Sequence, residues 1–188
     1  MENIKKICID NPNYPKILRQ IKDPPKVLYV LGDETILNNK MISIVGSRIC
    51  TNYGKKAAFE FAKKLSDSGL TIISGMAVGI DTEAHLGCMK SKSKTIAVLG
   101  SGLGNIYPQE NVELFNKIIN QGGAVITEYS KNTKPASENF PQRNRIVSGM
   151  SIGTLIVEAG YRSGATITAG LTKRSRKKGF WRASKHRK

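Results

Sequence analysis

The sequence predicts an α/β protein in which an open, mostly parallel sheet is covered by helices on both faces. From Met41 onward, short apolar runs of strand length alternate with longer segments whose apolar residues recur every three or four positions. Most of the apolar runs end in glycine or serine, as strands do where they turn into helices. The 188 residues suit one domain with a small appendage, and 39% of them are hydrophobic, which suffices for a core without disulfides or metal.

Residues 1–40 are predicted to form a lead-in segment that adds an edge strand to the main sheet. A short helix over Lys16–Ile21 precedes Asp23-Pro24-Pro25, which is extended because proline restricts the residue before it. The edge strand follows over Val27–Leu31 and ends at Gly32.

Residues 41–170 are predicted to form the main domain, with five strands, four helices and a fifth helix that opens at Ser163-Gly164. The strands are expected over Met41–Val45, Leu70–Ser74, Thr95–Leu99, Ala124–Thr127 and Thr154–Val157. The helices are expected over Tyr53–Ser68, Ile80–Met89, Asn111–Asn120 and from Pro141 to Gly149.

The net charge of +16 is unevenly spread along the chain. All 14 acidic residues precede Leu171, whereas nine lysines and arginines lie between Lys173 and Lys188. Residues 171–188 are therefore predicted to form a basic, disordered tail. A basic balance favours polyanionic partners such as nucleic acid, although it also serves solubility alone.

The cysteines, Cys8, Cys50 and Cys88, are widely spaced, and the sequence contains neither a Cys-x-x-Cys pair nor a histidine pair with zinc-ligand spacing. This pattern indicates a reduced, cytoplasmic protein without a structural metal. No apolar segment has the length and flanks of a signal peptide or a membrane span.

The first candidate site is Gly46-Ser47-Arg48, at the end of the first strand of the main domain. Ligands of open parallel sheets bind outside the carboxyl ends of the strands. Gly46 lets the backbone approach a phosphate, and the following helix start offers free N–H groups. Ser47 adds a hydroxyl and Arg48 a planar cation, while Gly75 leaves room at the next strand end. An ordinary turn with a solvated arginine remains the alternative.

The second candidate site is the start of the fourth helix. Arg143 and Arg145 fall near its first turn, where a cation opposes the helix dipole by roughly 0.3–1 kcal/mol. A bound phosphate would remove this cost. Asn144 adds an amide, and Phe140 is a candidate stacking platform for a base. The alternative is that Phe140 packs on the core and the arginines are solvated.

Two carboxylates are candidates for supporting roles. Asp81 is expected to cap the second helix. Glu158 lies at a strand end, where it is either a catalytic carboxylate or the partner of an arginine such as Arg145. Common nucleotide motifs are absent from the sequence, which has no P-loop and no Gly-x-Gly-x-x-Gly that opens a helix.

These motifs, in this order, resemble the DprA/Smf family of bacterial DNA-processing proteins. The resemblance is carried by Gly46-Ser47-Arg48, Ser74-Gly75-Met76-Ala77-Val78-Gly79-Ile80-Asp81, Phe140-Pro141-Gln142-Arg143-Asn144-Arg145 and Val157-Glu158-Ala159 with Ser163-Gly164. It implies an extended Rossmann-like domain that binds single-stranded DNA without sequence preference, protects the incoming strand in natural transformation and loads the recombinase RecA onto it. It also implies a homodimer, no catalytic activity and no cofactor.

The resemblance places the DNA pocket of the family on residues that the chemistry also selects, namely Gly46, Ser47, Arg48, Phe140, Arg143 and Arg145. Gly75 and Asn144 adjoin them, and Asp81, Glu158, Ser163 and Gly164 are expected to support the site.

The chain departs from the family after Ser163-Gly164. There the family continues with a helix, a further strand that ends in a Pro-Gly turn and often a winged-helix domain, whereas this chain has the basic tail. We therefore expect a C-terminally truncated or frameshifted form whose sheet lacks its last strand.

A competing prediction is an enzyme. The chain also resembles the nucleotide-processing branch of the same fold, the lysine-decarboxylase-like phosphoribohydrolases. By that resemblance Arg145 holds the phosphate or ribose of a nucleoside monophosphate and Glu158 assists loss of the base. The Pro-Gly-Gly of that branch is missing before Gly153-Thr154, which favours DNA binding.

Overall fold

Strands and helices alternate along most of the chain. The computed structural model describes residues 3–159 and the backbone of residues 178–182. The strands are β1 (Lys5–Cys8), β2 (Val27–Gly32), β3 (Met41–Gly46), β4 (Thr71–Ser74), β5 (Thr95–Val98), β6 (Ala124–Thr127), β7 (Gly153–Val157) and β8 (Lys178–Arg182). The α-helices are α1 (Asn52–Asp67), α2 (Ile80–Met89), α3 (Val112–Asn120) and α4 (Asn139–Met150), and short 3-10 helices cover Leu18–Gln20, Glu34–Asn38 and Gln109–Asn111.

The strands form one sheet in the order β1-β2-β6-β5-β4-β3-β7-β8. From β6 to β8 across the sheet every pairing is parallel, whereas β2 pairs antiparallel with both β1 and β6. The chain adds β4, β5 and β6 on one side of β3 and then crosses to the other side to form β7. The sheet therefore has its topological switch point between β3 and β7, where open α/β sheets bind ligands.

Side chains of β3 divide between the two faces of the sheet. Ile42 and Ile44 pack with α1 and α2, whereas Met41 and Val45 pack with α4 and with apolar residues of the first 40 positions. This alternation follows from the two-residue period of a strand. Helix α3 contributes Leu114, Phe115 and Ile118 to the cluster that also contains α2 and β5 residues. Both faces are thus covered, as the sequence predicts.

Helices α1 and α2 pack closely because small residues face each other. Ala58 and Ala62 of α1 are fully buried, and Gly87 of α2 lies against the backbone of Phe59. Thr51 caps α1, since its hydroxyl accepts a hydrogen bond from the Gly54 N–H at 3.0 Å. The packing therefore fixes the position of the first turn of α1 at the end of β3.

The structure confirms the strands and helices predicted for the main domain, mostly to within one or two residues. It adds a second strand, β1, to the predicted edge strand of the lead-in segment. The predicted helix over Lys16–Ile21 is wrong, because only Leu18–Gln20 forms a single 3-10 turn. Six residues that follow a proline make too few hydrogen bonds to stabilise an α-helix.

The predicted start of α4 is also wrong, because the helix begins at Asn139 and Pro141 is its third residue. Phe140 therefore belongs to the first turn of the helix. Arg143 and Arg145 fall in the second turn, where the helix dipole opposes a cation less than at the first turn.

The expectation that the last strand is missing is wrong, because β8 pairs in parallel with β7 at the edge of the sheet, with Leu155 opposite Phe180. Charged residues around Gly179-Phe180-Trp181 hide this strand from an apolar pattern, and edge strands commonly carry such charges. The predicted helix at Ser163-Gly164 and the remainder of the tail lie outside the described residues.

Within residues 3–159 and 178–182, no helix combines the length and apolarity that crossing a bilayer requires. In the same part of the chain, no three His, Cys, Asp or Glu side chains gather as metal ligands would.

Replacing Gly87 by alanine is expected to destabilise the protein by about 1–3 kcal/mol, because the new Cβ atom meets the backbone of Phe59. Gly149→Ala is the matched control, since the atoms nearest to its Cβ atom belong to the side chains of Leu18 and Ile21 rather than to backbone. Urea unfolding followed by circular dichroism measures both variants. Equal unfolding midpoints would contradict the close packing of α1 on α2.

Candidate nucleic-acid interface

An open cavity of about 770 Å³ lies at the carboxyl ends of β3 and β4, beside the switch point of the sheet. Three segments form most of its wall: the end of β3 with the loop after it, the turn between β4 and α2, and the start of α4 with the loop before it. We call it the Arg48 cavity; it is lined by Val45, Gly46, Ser47, Arg48, Ile49, Gly75, Ala77, Asp81, Tyr107, Pro135, Ala136, Ser137, Phe140, Pro141, Arg143 and Asn144.

The mouth of the cavity combines a cation with two aromatic rings. The Arg48 guanidinium carbon lies 5.6 Å from the centroid of the Phe140 ring, within the range of a cation–π contact. The Phe140 and Tyr107 rings are 5.4 Å apart and inclined by 40°. Arg48 is exposed and forms no ion pair within the described part of the chain. Its charge is therefore available to an anionic ligand.

The loop that carries Arg48 is held at both ends by Glu158. The Ser47 N–H donates to the Glu158 carbonyl at 2.8 Å, and the Thr51 N–H donates to the Glu158 carboxylate at 2.8 Å. The Thr51 hydroxyl also bonds this carboxylate. Glu158 reaches both ends because its φ of +50° turns the chain sharply after β7. The loop is consequently fixed around an exposed arginine.

At the start of α1, the protein's own Glu158 carboxylate occupies the position that an anion would take at the helix N-terminus. Glu158 accepts the Thr51 N–H, and the Ser47 hydroxyl donates to the Ile49 carbonyl within the loop. Glu158 does not pair with Arg145, because its side chain is buried and bonds Thr51 at the start of α1, where it supports the loop. The anion-binding groups of this loop are therefore side chains, above all Arg48.

Arg143 lies in the floor of the cavity and is only 4% exposed. Its Nη1 donates to the carbonyls of Gly75 and Val98, and its Nε donates to the Asn144 side chain at 3.2 Å. Burial lowers the pKa of Arg143 to about 10, and the Asp81 charge opposes this effect. The guanidinium remains charged at neutral pH and ties α4 to the ends of β4 and β5.

Asp81 organises the turn before α2. Its carboxylate accepts the Gly75 N–H at 3.0 Å and the Ala77 N–H at 3.4 Å, so it bonds the turn that leads into the helix, as a capping residue does. Burial raises the pKa of Asp81, and Arg143 opposes this shift. A Cβ atom at Gly75 would lie 2.7 Å from both Asp81 and Arg143, so only glycine leaves room for this pair.

Arg145 points away from the cavity. Its Nη1 and Nη2 atoms bond the two oxygens of Glu128 at 2.5 and 2.8 Å, and its Nε bonds the Asp23 carboxylate at 3.2 Å. The hydrogen bond to Glu128 raises the pKa of Arg145. The side chain thereby fastens α4 to the lead-in segment and to the end of β6.

Most of the predicted site residues line the cavity, but two do not. The cavity brings together Gly46, Ser47, Arg48, Gly75, Asp81, Phe140, Arg143 and Asn144. Arg145 and Glu158 are absent from its wall, and Ser163 and Gly164 lie outside the described residues. Tyr107 and Ile49 also line the cavity, although neither is among the predicted site residues. An aromatic residue before a proline, in a chain with 6% aromatic residues, was the available signal for Tyr107.

His85 is fully buried in α2. Its Nδ1 lies 2.7 Å from the Thr95 hydroxyl, which donates its own proton to the Ile72 carbonyl, so Nδ1 is the protonated nitrogen. Nε2 has no hydrogen-bond partner among residues 3–159 and 178–182. Burial, with a smaller effect of Arg143, lowers the pKa of His85 from 6.5 to about 3. The imidazole is therefore neutral in the folded protein.

Comparison with known proteins assigns the chain to a family. The family model described as DNA recombination-mediator protein A matches residues 5–186. The chain belongs to this family. The match confirms the resemblance to the DprA/Smf proteins that the motifs indicate, and it extends over most of the basic tail.

A relative named protein Smf, from Synechocystis sp., is 44% identical over 164 residues, which are 85% of this chain and 41% of the relative. The X-ray structure of DNA processing protein A (DprA) from Streptococcus pneumoniae has a TM-score of 0.92 at 34% identity, over 98% of this chain and 64% of that one. DNA processing protein A from Helicobacter pylori, whose structure concerns its single-stranded DNA binding mode, has a TM-score of 0.87 at 31% identity, over 99% and 85% of the two chains.

These likenesses confirm the predicted Rossmann-like fold. The chain spans less than half the length of the Synechocystis relative, so the activities of the longer family members reach this chain only as proposals.

Replacing Arg143 by methionine is expected to lower the free energy of unfolding by about 3–5 kcal/mol, because the change leaves buried polar groups, including the Asp81 carboxylate, without their cation. Arg48→Ala is the matched control from the same cavity and should change it by at most about 0.5 kcal/mol. Urea denaturation measures both. An Arg143→Met protein as stable as the wild type would show that this arginine does not tie the strand ends together.

Stability should also fall with pH because of His85. The pKa of its imidazole is about 3 in the folded protein and about 6.5 in the unfolded chain, so the unfolded chain takes up the proton first. Below pH 6.5 and down to about pH 3, the protein is expected to lose up to about 1.4 kcal/mol per pH unit from this residue. His85→Leu removes that contribution. A stability difference between wild type and variant that is the same at neutral and acidic pH would contradict the shift.

Proposed function

We propose that this chain binds single-stranded DNA without sequence preference at the Arg48 cavity. One observation carries the proposal: an exposed guanidinium lies over the Phe140 ring, beside the exposed Tyr107 ring, at the mouth of a cavity at the switch point. Proteins that hold single strands combine cations for the phosphates with aromatic rings on which bases stack. Stacking tolerates every base because every base has a π-face, which fits binding without sequence preference.

The cavity offers a distinct place to each part of a nucleotide. Arg48 holds a phosphate. The Ser47 hydroxyl donates its proton to the Ile49 carbonyl, so its oxygen accepts a hydrogen bond from an N–H group of a base. Phe140 and Tyr107 receive bases. The start of α4 lines the cavity with Phe140 and Pro141, so the positive end of its dipole favours an anionic ligand there.

The wider role follows the family. The structure of the Helicobacter pylori relative concerns its binding of single-stranded DNA, and this chain matches the family model along nearly its whole length. We infer that the chain acts in DNA uptake, where it protects the incoming strand and passes it to the recombinase RecA, and that it works as a homodimer.

The competing enzyme has little support in the geometry. Arg145 is engaged by Glu128 and Asp23, whereas Glu158 is engaged by Thr51, so the two residues do not form a catalytic pair. The Synechocystis, Streptococcus and Helicobacter relatives bear Smf or DNA-processing names, and none of these names is that of a hydrolase. Release of adenine from AMP that is lost in Glu158→Gln would contradict a purely binding role.

Arg48→Ala is expected to weaken binding of a fluorescent oligothymidylate by about tenfold or more, since one charge-assisted phosphate contact is lost. The dependence of log affinity on log salt should become shallower by about 0.7, the contribution of one phosphate contact on a single strand. Fluorescence anisotropy over a salt series measures both quantities. Lys117→Ala removes an exposed lysine of α3 that does not line the cavity, and it controls for a general loss of charge.

The basic tail needs a separate control. A variant in which Lys173, Arg174, Arg176 and Lys177 are changed to glutamine keeps the chain length and lowers the charge. If DNA binding survives this change and falls with Arg48→Ala, the result supports the Arg48 cavity as the binding site. Binding that disappears with the tail charges and ignores Arg48→Ala would assign the affinity to the tail and refute the proposed site.

A further inference from the structure

Exposed apolar side chains are concentrated around the Arg48 cavity. In the part of the chain that the structure describes, the large hydrophobic residues with the greatest exposure are Ile49 (93%), Tyr53 (53%), Ile152 (48%) and Tyr107 (41%). Ile49 and Tyr107 line the cavity, and Tyr53 follows Ile49 by four residues, on the first turn of α1. Only Ile152, before β7, lies at the opposite end of the sheet. Such a local concentration of apolar surface marks an interaction site.

We propose that the bound single strand leaves the cavity over Ile49 and stacks one further base on Tyr53, with Lys56 as the contact of its phosphate. The proposal rests on the proposed function and extends the site beyond the cavity onto the outer surface of α1. We call this surface, formed by Ile49, Tyr53 and Lys56, the α1 platform.

The platform is continuous with the cavity. The same loop carries Arg48 and Ile49, and its end at Thr51 is fixed to Glu158 by two hydrogen bonds. The cap by Thr51 then starts α1, so the first turn with Tyr53 is held at a constant position relative to Arg48.

Tyr53 borders a shallow groove of about 230 Å³ on α1. The groove is lined by Tyr53, Lys56, Ala57, Glu60, Phe61 and Lys64. Its lining combines apolar carbon of Ala57 and Phe61 with the half-exposed Tyr53 ring. Aromatic and apolar surface of this kind accepts the face of a base.

The charges near the platform favour a polyanion and limit its extent. Lys55 and Lys56 are exposed on the first two turns of α1, whereas the first acidic residue on the groove is Glu60, one turn beyond Lys56. A phosphate is attracted to the lysines and repelled by Glu60. The platform therefore fits one added nucleotide, and the strand turns away before Glu60.

Oligothymidylates lengthened by one nucleotide at a time test the proposal by fluorescence anisotropy. For the wild type, affinity should rise with length until the platform is filled. For Tyr53→Ala, affinity should stop rising one nucleotide earlier: short oligomers bind as they do to the wild type, and long ones bind about tenfold more weakly. Tyr53→Phe keeps the ring and should bind like the wild type.

The controls separate this inference from the proposed function. Ile152→Ser removes an exposed apolar residue at the opposite end of the sheet and should leave every length unaffected. If Tyr53→Ala binds oligomers of every length like the wild type while Arg48→Ala binds all of them more weakly, the platform is refuted and the proposal of DNA binding at the cavity is retained. If the wild-type chain binds no length, the proposed function itself fails.

The other occupant of an exposed apolar surface is a second copy of the chain. Sedimentation of wild type and Tyr53→Ala at matched concentrations distinguishes the two. Loss of a dimer in Tyr53→Ala, with the length dependence of DNA binding unchanged, would overturn the platform and assign the surface to self-association. Urea unfolding of Tyr53→Ala at the wild-type midpoint would show that a change in binding does not arise from misfolding.

Discussion

The site depends on a buried guanidinium at the carboxyl ends of the parallel strands. Arg143 reaches from the second turn of α4 to carbonyls at the ends of β4 and β5, and its charge lies close to that of Asp81. A buried cation is costly unless hydrogen bonds and an opposite charge compensate it, so α4 has little freedom to shift without losing that compensation. Phe140 lies one helical turn earlier and is thereby held at the mouth of the cavity. The ring that supports Arg48 is thus positioned by a residue that the solvent hardly reaches.

Three arginines that look alike in the sequence have three different tasks. Arg48 is exposed over an aromatic ring, Arg143 is buried among carbonyls, and Arg145 is held by two carboxylates on the side of the lead-in segment. Residue type and spacing predict that cations gather at the start of α4, and they do. They do not predict which cation faces solvent, because this depends on where the helix starts and how it is rotated against the sheet. Helix α4 begins two residues before the predicted start. In this helix Arg143 lies over the strand ends and Arg145 lies beside Glu128.

The sequence-based prediction is most accurate for the elements that are most deeply buried. Strand β3 is buried on both faces, so its apolar run identifies it, and the same holds for β4, β5 and β6. The bounds predicted for helix α2 agree with the structure, since the glycine turn before it is marked in the sequence. The sequence-based prediction missed the edge strands β1 and β8. An edge strand can be stabilised by backbone hydrogen bonds to one neighbour, so its sequence need not show a clear apolar pattern. The partner of Glu158 was missed for a related reason: Thr51 lies 107 positions away, and only the pairing of β3 with β7 brings the two together.

Two carboxylates lie beside the candidate phosphate site, where uncompensated negative charge would oppose the binding of a polyanion. Both carboxylates form hydrogen bonds within the protein. Asp81 accepts two backbone N–H groups and lies close to the charge of Arg143. Glu158 accepts hydrogen bonds from the N–H and the hydroxyl of Thr51. Their negative charge is thus compensated within the fold, where it shapes the two loops that border the cavity. Arg48 is the group at the mouth whose charge is not compensated in this way. A loop built around buried carboxylates can therefore present a net positive surface, because the acids hold the backbone while the exposed cation faces the ligand.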